Sequence, residues 1–87
     1  MSQDHSYYDR LVSQGADYYD DGQYQQSIEA YDKAIKLNPN VAIGYGHRGL
    51  SYLGLGQNER AIEDFDKAIE LDPDSAEAYN ELKMRIV

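Results

Sequence analysis

Two histidines, His5 and His47, and a scatter of carboxylates are the side chains here whose chemistry could reach beyond packing. Neither histidine has a second one at i±3 or i±4, and cysteine is absent, so the spacing predicts no zinc site. His5 is expected in a frayed N-terminus and His47 on the exposed face of a helix. The run Asp17-Tyr18-Tyr19-Asp20-Asp21-Gly22 lacks the alternating oxygen ligands and the distal glutamate of a calcium loop, and reads as a helix end and turn. Glu63 with Asp64, and Asp72 with Asp74, have no apolar pocket in the local pattern to raise a pKa and are expected to be solvated. No glycine-rich phosphate loop follows a strand, because no strand is read anywhere. The expectation is a non-catalytic chain with no cofactor and no metal.

Composition narrows the partners. Sixteen acidic residues against eight basic ones give a formal charge of −8. Nucleic acid and anionic lipid are both bound largely through phosphate neutralisation, so this surface repels them. The charge keeps a small protein soluble, and it can also steer a basic partner segment. The lack of cysteine excludes a disulfide framework and suits a reducing compartment, so a cytoplasmic location is expected. No apolar run approaches the roughly 18–20 residues that cross a bilayer. Met1-Ser2-Gln3-Asp4-His5-Ser6 has neither the basic nor the apolar region of a secretion signal. The 87 residues are expected to form one domain, 1–87.

The elements that must position any site come from an internal repeat. Displacing residues 8–41 by 34 places lays them on 42–75, with Gly15 on Gly49, Tyr18 on Tyr52, Gly22 on Gly56, Ile28 on Ile62 and Pro39 on Pro73. The segment Asp32-Lys33-Ala34-Ile35 falls on Asp66-Lys67-Ala68-Ile69. A period in this range marks supersecondary units that cannot bury an apolar face alone and must stack. Apolar residues recur at three- and four-residue spacing within each unit, which predicts two amphipathic helices. Leu11, Gly15, Tyr18 and Tyr19 mark the first, closing at Gly22 in a left-handed cap. Tyr24, Ile28, Tyr31, Ala34 and Leu37 mark the second, stopped by Pro39, with Asn40 expected to cap the next start. The second unit repeats this over about 41–53 and 58–71. Asp74 with Glu77 has the form of a capping box, opening a fifth helix expected to run to the end.

The sequence resembles the tetratricopeptide repeat family. Tyr45-x-x-Arg48-Gly49-x-x-Tyr52, then Ala61-x-x-x-Phe65 and Pro73, match the family pattern in the second unit. Leu11-x-x-Gln14-Gly15-x-x-Tyr18, then Ser27-x-x-x-Tyr31 and Pro39, match it in the first. The resemblance implies an all-α, short right-handed α-solenoid of two antiparallel hairpins plus a capping helix. The divisions would be repeat one at 8–41, repeat two at 42–75 and the cap at 76–87. Gln14 and Arg48 stand where leucine is usual, Ser27 where alanine is usual, and Leu11 in place of a bulky aromatic. Each is expected to weaken local packing. Tyr18, Tyr31, Tyr45 and Tyr52 are expected to fill gaps between helices. Lys83 stands where a third glycine would fall, so close docking of a sixth helix is not expected. Gly44 and Gly46 each cost about 1 kcal/mol against alanine in a helix interior, and the family pattern explains neither.

Carried over by register, the family's concave groove implies a partner-binding strip of Val12, Ala16, Tyr19, Ile43, His47, Leu50, Leu53, Asn80, Glu81 and Met84. Asp9, Ser13, Asp20, Gly46, Gly54 and Glu77 would flank it. Relatives that grip acidic chaperone tails use a carboxylate clamp of lysine, asparagine and arginine. The matching positions here are Val12, Ala16, His47, Glu77 and Glu81, and none carries a clamp residue. The resemblance therefore implies a protein–protein interaction module, a scaffold or adaptor whose partner is a peptide with basic and apolar residues. The alternative is a self-assembling structural unit, a homo-oligomer built through the open solenoid ends.

Overall fold

The apolar spacing folds as helices throughout the computed structural model, which describes residues 3–86, with side chains from Tyr7 to Ile86. The elements are α1 (Gln3–Asp20), α2 (Tyr24–Leu37), α3 (Ala42–Gly54), α4 (Asn58–Leu71), a single 3-10 turn at Pro73–Ser75, and α5 (Ala76–Met84). Among the described residues there is no strand. α1 pairs with α2, α3 with α4, α2 packs against α3, and α5 lies on α4 and the 3-10 turn. The stack is a slab of 43 × 28 × 16 Å.

Both hairpins turn by the same device. Gly22 and Gly56 sit at φ 78° and 77°, where an L side chain would be strained. Gly22 N–H donates to Tyr19 O (3.0 Å) and Gln23 N–H to Tyr18 O (2.8 Å). Gly56 N–H to Leu53 O and Gln57 N–H to Tyr52 O, both 2.9 Å, repeat the arrangement. These paired bonds satisfy the last carbonyls of α1 and α3 and reverse the chain within three residues.

Other helix ends depart from expectation. α3 starts from Val41, which offers no side-chain cap, so Asn40 does not cap it. The capping box at Asp74 and Glu77 does not form either. Pro73 opens the 3-10 turn, which places Asp74 inside that turn and moves the α5 start to Ala76. Asp72 caps the turn instead, its carboxylate accepting from Asp74 N–H at 3.3 Å. α5 closes at Met84 rather than running to the end, and Val87 lies outside the described residues. At the other terminus α1 takes in position 5; the His5 side chain lies outside the described ones.

Aromatic rings against helix backbones hold the layers together. A Cβ added at Gly15 would meet the Tyr31 ring at 2.5 Å, and one at Gly49 would meet the Phe65 ring at 2.7 Å. Those glycines therefore seat the two largest fully buried side chains. Gly46 does the same for α5, since a Cβ there would lie 1.9 Å from the Tyr79 hydroxyl. Tyr79 also stacks on Phe65, centroids 5.3 Å apart. Gly44 lies under Ile35 and the Tyr8 hydroxyl. Both unexplained glycines thus have neighbours that need the space. Ala34 and Ala68 are fully buried for the same reason, and Tyr8 and Leu11 complete a cluster around Ala34. Of the four tyrosines expected to pack between helices, Tyr31 is buried but Tyr18 is 38% exposed.

Three departures from the family pattern prove to be well-partnered. Leu11 is only 3% exposed, within the core. Ser27 is fully buried and donates to Gly15 O at 2.9 Å, while the Ser51 hydroxyl lies 2.7 Å from its oxygen. Arg48 reaches from α3 to both neighbouring helices. It forks onto Asp64 of α4 at 2.7 and 2.8 Å and bonds Asp32 of α2 at 2.8 Å. Its guanidinium also lies 5.8 Å from the ring centres of Tyr45 and Tyr52. Asp64 is therefore buried, not solvated. Burial pushes its carboxyl up, the Arg48 bonds pull it down, and burial is the larger effect.

Two outcomes follow for stability. Gly46→Ala lowers the urea midpoint, since overpacking Tyr79 costs about 1–3 kcal/mol against the roughly 1 kcal/mol alanine brings to a helix interior. A raised midpoint would contradict the Gly46–Tyr79 contact. Arg48→Ala strands a buried carboxylate and destabilises by about 3 kcal/mol near neutral pH. Because burial already favours protonated Asp64, that deficit shrinks as pH falls and Asp64 takes up a proton; a pH-independent deficit in chemical denaturation would refute this.

Candidate functional site

The strip assigned from register runs along α1, α3 and α5, and its residues differ in how they are held. Val12, Ala16 and Tyr19 on α1 are half-buried, as are His47, Leu50 and Leu53 on α3. Ile43 is exposed, and so are Asn80, Glu81 and Met84 on α5. Met84 stands 75% exposed.

Val12 and Ile43 meet across the gap between α1 and α3. With Tyr8, Asp9, Ser13, Asn38 and Val41 they line a cavity of about 450 Å³, its wall mainly apolar. Tyr8 is 7% exposed. Its hydroxyl lies against Gly44 without a hydrogen bond of normal geometry, and burial raises its pKa. Ile43 also faces a second cavity of about 280 Å³ between α3 and α5, lined by Val41, Ala42, Leu71, Asp72, Ser75 and Tyr79. Tyr8, Asp9, Asn38 and Val41 fall by register on Ala42, Ile43, Asp72 and Ser75, so the two cavities are equivalent places in successive interfaces. Tyr8, Val41 and Tyr79 were not among the residues assigned from sequence. A signal for Tyr8 was present, because it lies one turn before Val12 on the same face.

His47 is not on an exposed face. Its ring meets Tyr31 edge-on, centroids 5.7 Å apart, and Nδ1 lies 3.4 Å from the Tyr31 hydroxyl. Burial holds its pKa below the ordinary 6.5, and burial pushes the Tyr31 phenol up to about 12. At the far end of the strip Tyr19 meets Tyr24 edge-on at 5.5 Å, and the Tyr24 ring seats against Gly54. Gly46 is therefore buried under Tyr79, whereas Gly54 stays exposed beside the Tyr24 ring. Asn80, Glu81 and Met84 line neither cavity; α5 contributes Tyr79 instead.

Among the described residues no group of three or more histidine, aspartate or glutamate side chains is placed to hold a metal ion. No helix among them is long and apolar enough to cross a membrane.

Residues 12–76 match the family model described as Tetratricopeptide repeat. The match spans most of the chain, and the protein belongs to this family, whose members are generally protein–protein interaction modules. No curated protein matches the sequence.

The buried His47 has a consequence for pH. Its folded pKa is depressed, so the unfolded chain takes up a proton that the folded chain refuses. Stability is present above about pH 6.5 and is lost as pH falls, with a slope of up to about 1.4 kcal/mol per pH unit. Chemical denaturation from pH 7.5 to 5.5 should show this slope in the parent and a flatter one in His47→Asn. Identical slopes would show that His47 is solvated.

Proposed function

We propose that the chain is a non-catalytic scaffold or adaptor that holds a partner segment along the strip of α1, α3 and α5. The observation that carries this reading is a half-buried apolar strip edged by acid. Val12, Ala16, Tyr19, Leu50 and Leu53 supply contact area, with Ile43 more open beside them. Asp9, Asp20, Glu77 and Glu81 supply negative charge, and none of the ten strip residues is lysine or arginine. A complementary segment carries lysine or arginine among apolar anchors, its encounter steered by charge and its lifetime set by the anchors. An acidic chaperone tail is a poor partner, because Glu77 and Glu81 would oppose it.

The unit boundaries fit the same proposal, with repeats at 8–41 and 42–75 and 76–87 as the cap. Lys83 pairs with Asp66, which gives the glycine-equivalent position of α5 an ionic role rather than a docking one. Self-assembly is the second reading, favoured by Met84 at the end of the stack.

Fluorescence titration tests the first reading with two labelled probes, one alternating leucine and lysine and one alternating leucine and glutamate. The lysine probe should bind at least tenfold more tightly, and Leu50→Glu should weaken it about tenfold or more. Equal binding of both probes would dismiss the charge argument. Light scattering across a concentration series decides the second reading, which needs a mass that grows with concentration and collapses in Met84→Glu.

A further inference from the structure

The two cavities are the same place in successive interfaces, yet they are furnished differently. In the interface of α3 with α5, Tyr79 lays its ring on Phe65 and brings its hydroxyl over Gly46. That contact uses the space a side chain at position 46 would need. In the interface of α1 with α3 the register equivalents are Tyr45 for Tyr79 and Val12 for Gly46. Val12 carries a side chain, and Tyr45 goes elsewhere. Its hydroxyl donates to Pro39 O at 2.9 Å and its ring lies beside Arg48. The later helix thus brings Tyr79 across the second interface, whereas the first has Tyr8 of α1 in its wall and Tyr45 of α3 turned away from it. The first keeps about 450 Å³, against about 280 Å³ in the second. That volume is in the range of ligand pockets, about 300–1,000 Å³.

We infer that the cavity walled by Tyr8, Val12, Val41 and Ile43 is the anchor pocket, and that it takes one aromatic or large aliphatic side chain flanked by lysine or arginine in the partner. The inference rests on the groove reading above and specifies where along the groove the affinity is concentrated. Charge selects the occupant's neighbours. Asp9 stands on the cavity wall, and the chain as a whole carries −8. The wall itself is apolar enough to favour desolvating a ring. Since Tyr79 already furnishes the equivalent place, one partner segment engages one pocket and not two.

Amide chemical-shift mapping tests this with three pentapeptide probes: Lys-Lys-Trp-Lys-Lys, Lys-Lys-Ala-Lys-Lys and Glu-Glu-Trp-Glu-Glu. The tryptophan–lysine probe should shift the amides of Val12, Ser13, Val41 and Ile43 most. Replacing its tryptophan by alanine should weaken binding about tenfold or more, and the glutamate probe should be weaker still. Filling the pocket from its rim with Ile43→Trp, or from its mouth with Ser13→Trp, should abolish the shifts while leaving the helical circular dichroism intact. Either variant suffices if the other fails to fold. Shifts centred on His47 and Leu50 with the pocket silent would overturn this inference and leave the groove reading standing. No shifts anywhere on α1, α3 and α5 would overturn both.

Discussion

An aromatic ring resting directly on a helix backbone is the contact on which the stack depends, and three buried glycines receive one. Tyr31 on Gly15 closes the first hairpin, Phe65 on Gly49 closes the second, and Tyr79 on Gly46 docks the last helix. Each ring buries a large apolar area while the missing Cβ brings the helices near enough for their other side chains to interdigitate. Glycine inside a helix is unfavourable by about 1 kcal/mol, so the contact survives only where the ring's burial exceeds that cost. The glycine-rich α3 is therefore the hub of the slab, touched at neighbouring places by the stacked rings of α4 and α5.

Charge works within this frame rather than creating it. Arg48 bonds Asp32 and Asp64 from the middle helix, fastening three helices with one guanidinium. One interface later Lys83 reaches back from α5 to Asp66, the register equivalent of Asp32. The cation comes from an adjacent place in the helix, but the link from one unit's second helix to the next unit's first helix is kept. These ties use part of the scarce positive charge inward and leave an acidic surface. Ser27, with Ser51 beside it, shows the same economy, because buried hydroxyls there find oxygen partners inside the core.

Aromatic rings also shape the face of α1, α3 and α5. Tyr79 covers Gly46, Tyr24 packs beside the exposed Gly54, and Tyr31 meets the half-buried His47 edge-on. The surface that remains is less even than a strict repeat would give, because Tyr79 reaches across the second interface while its equivalent Tyr45 turns away from the first. A repeat protein with equivalent sequence positions can thus hold non-equivalent sites.

Sequence by itself determined the helices, their pairing and the family, because glycine and proline at a fixed period leave the backbone few alternatives. Gly22 and Gly56 specify reversals that no other residue makes without strain, and apolar spacing in between determines which faces meet. The left-handed turns were legible there, and so was the close approach of paired helices at Gly15 and Gly49. Only the tertiary structure decided the roles of Gly46, Arg48, Asp64 and His47. Each depends on a residue 16 or more positions away, on a different helix. It also drew Tyr8 and Val41 into the cavity with Val12 and Ile43. A linear pattern states which face of a helix is turned inward, but the direction a long side chain takes is set by competition among neighbours. Tyr45 and Tyr79 share one register and differ in where they go: Tyr79 settles on the bare backbone of Gly46, whereas position 12, the equivalent of 46, carries a side chain and Tyr45 bonds Pro39 O instead.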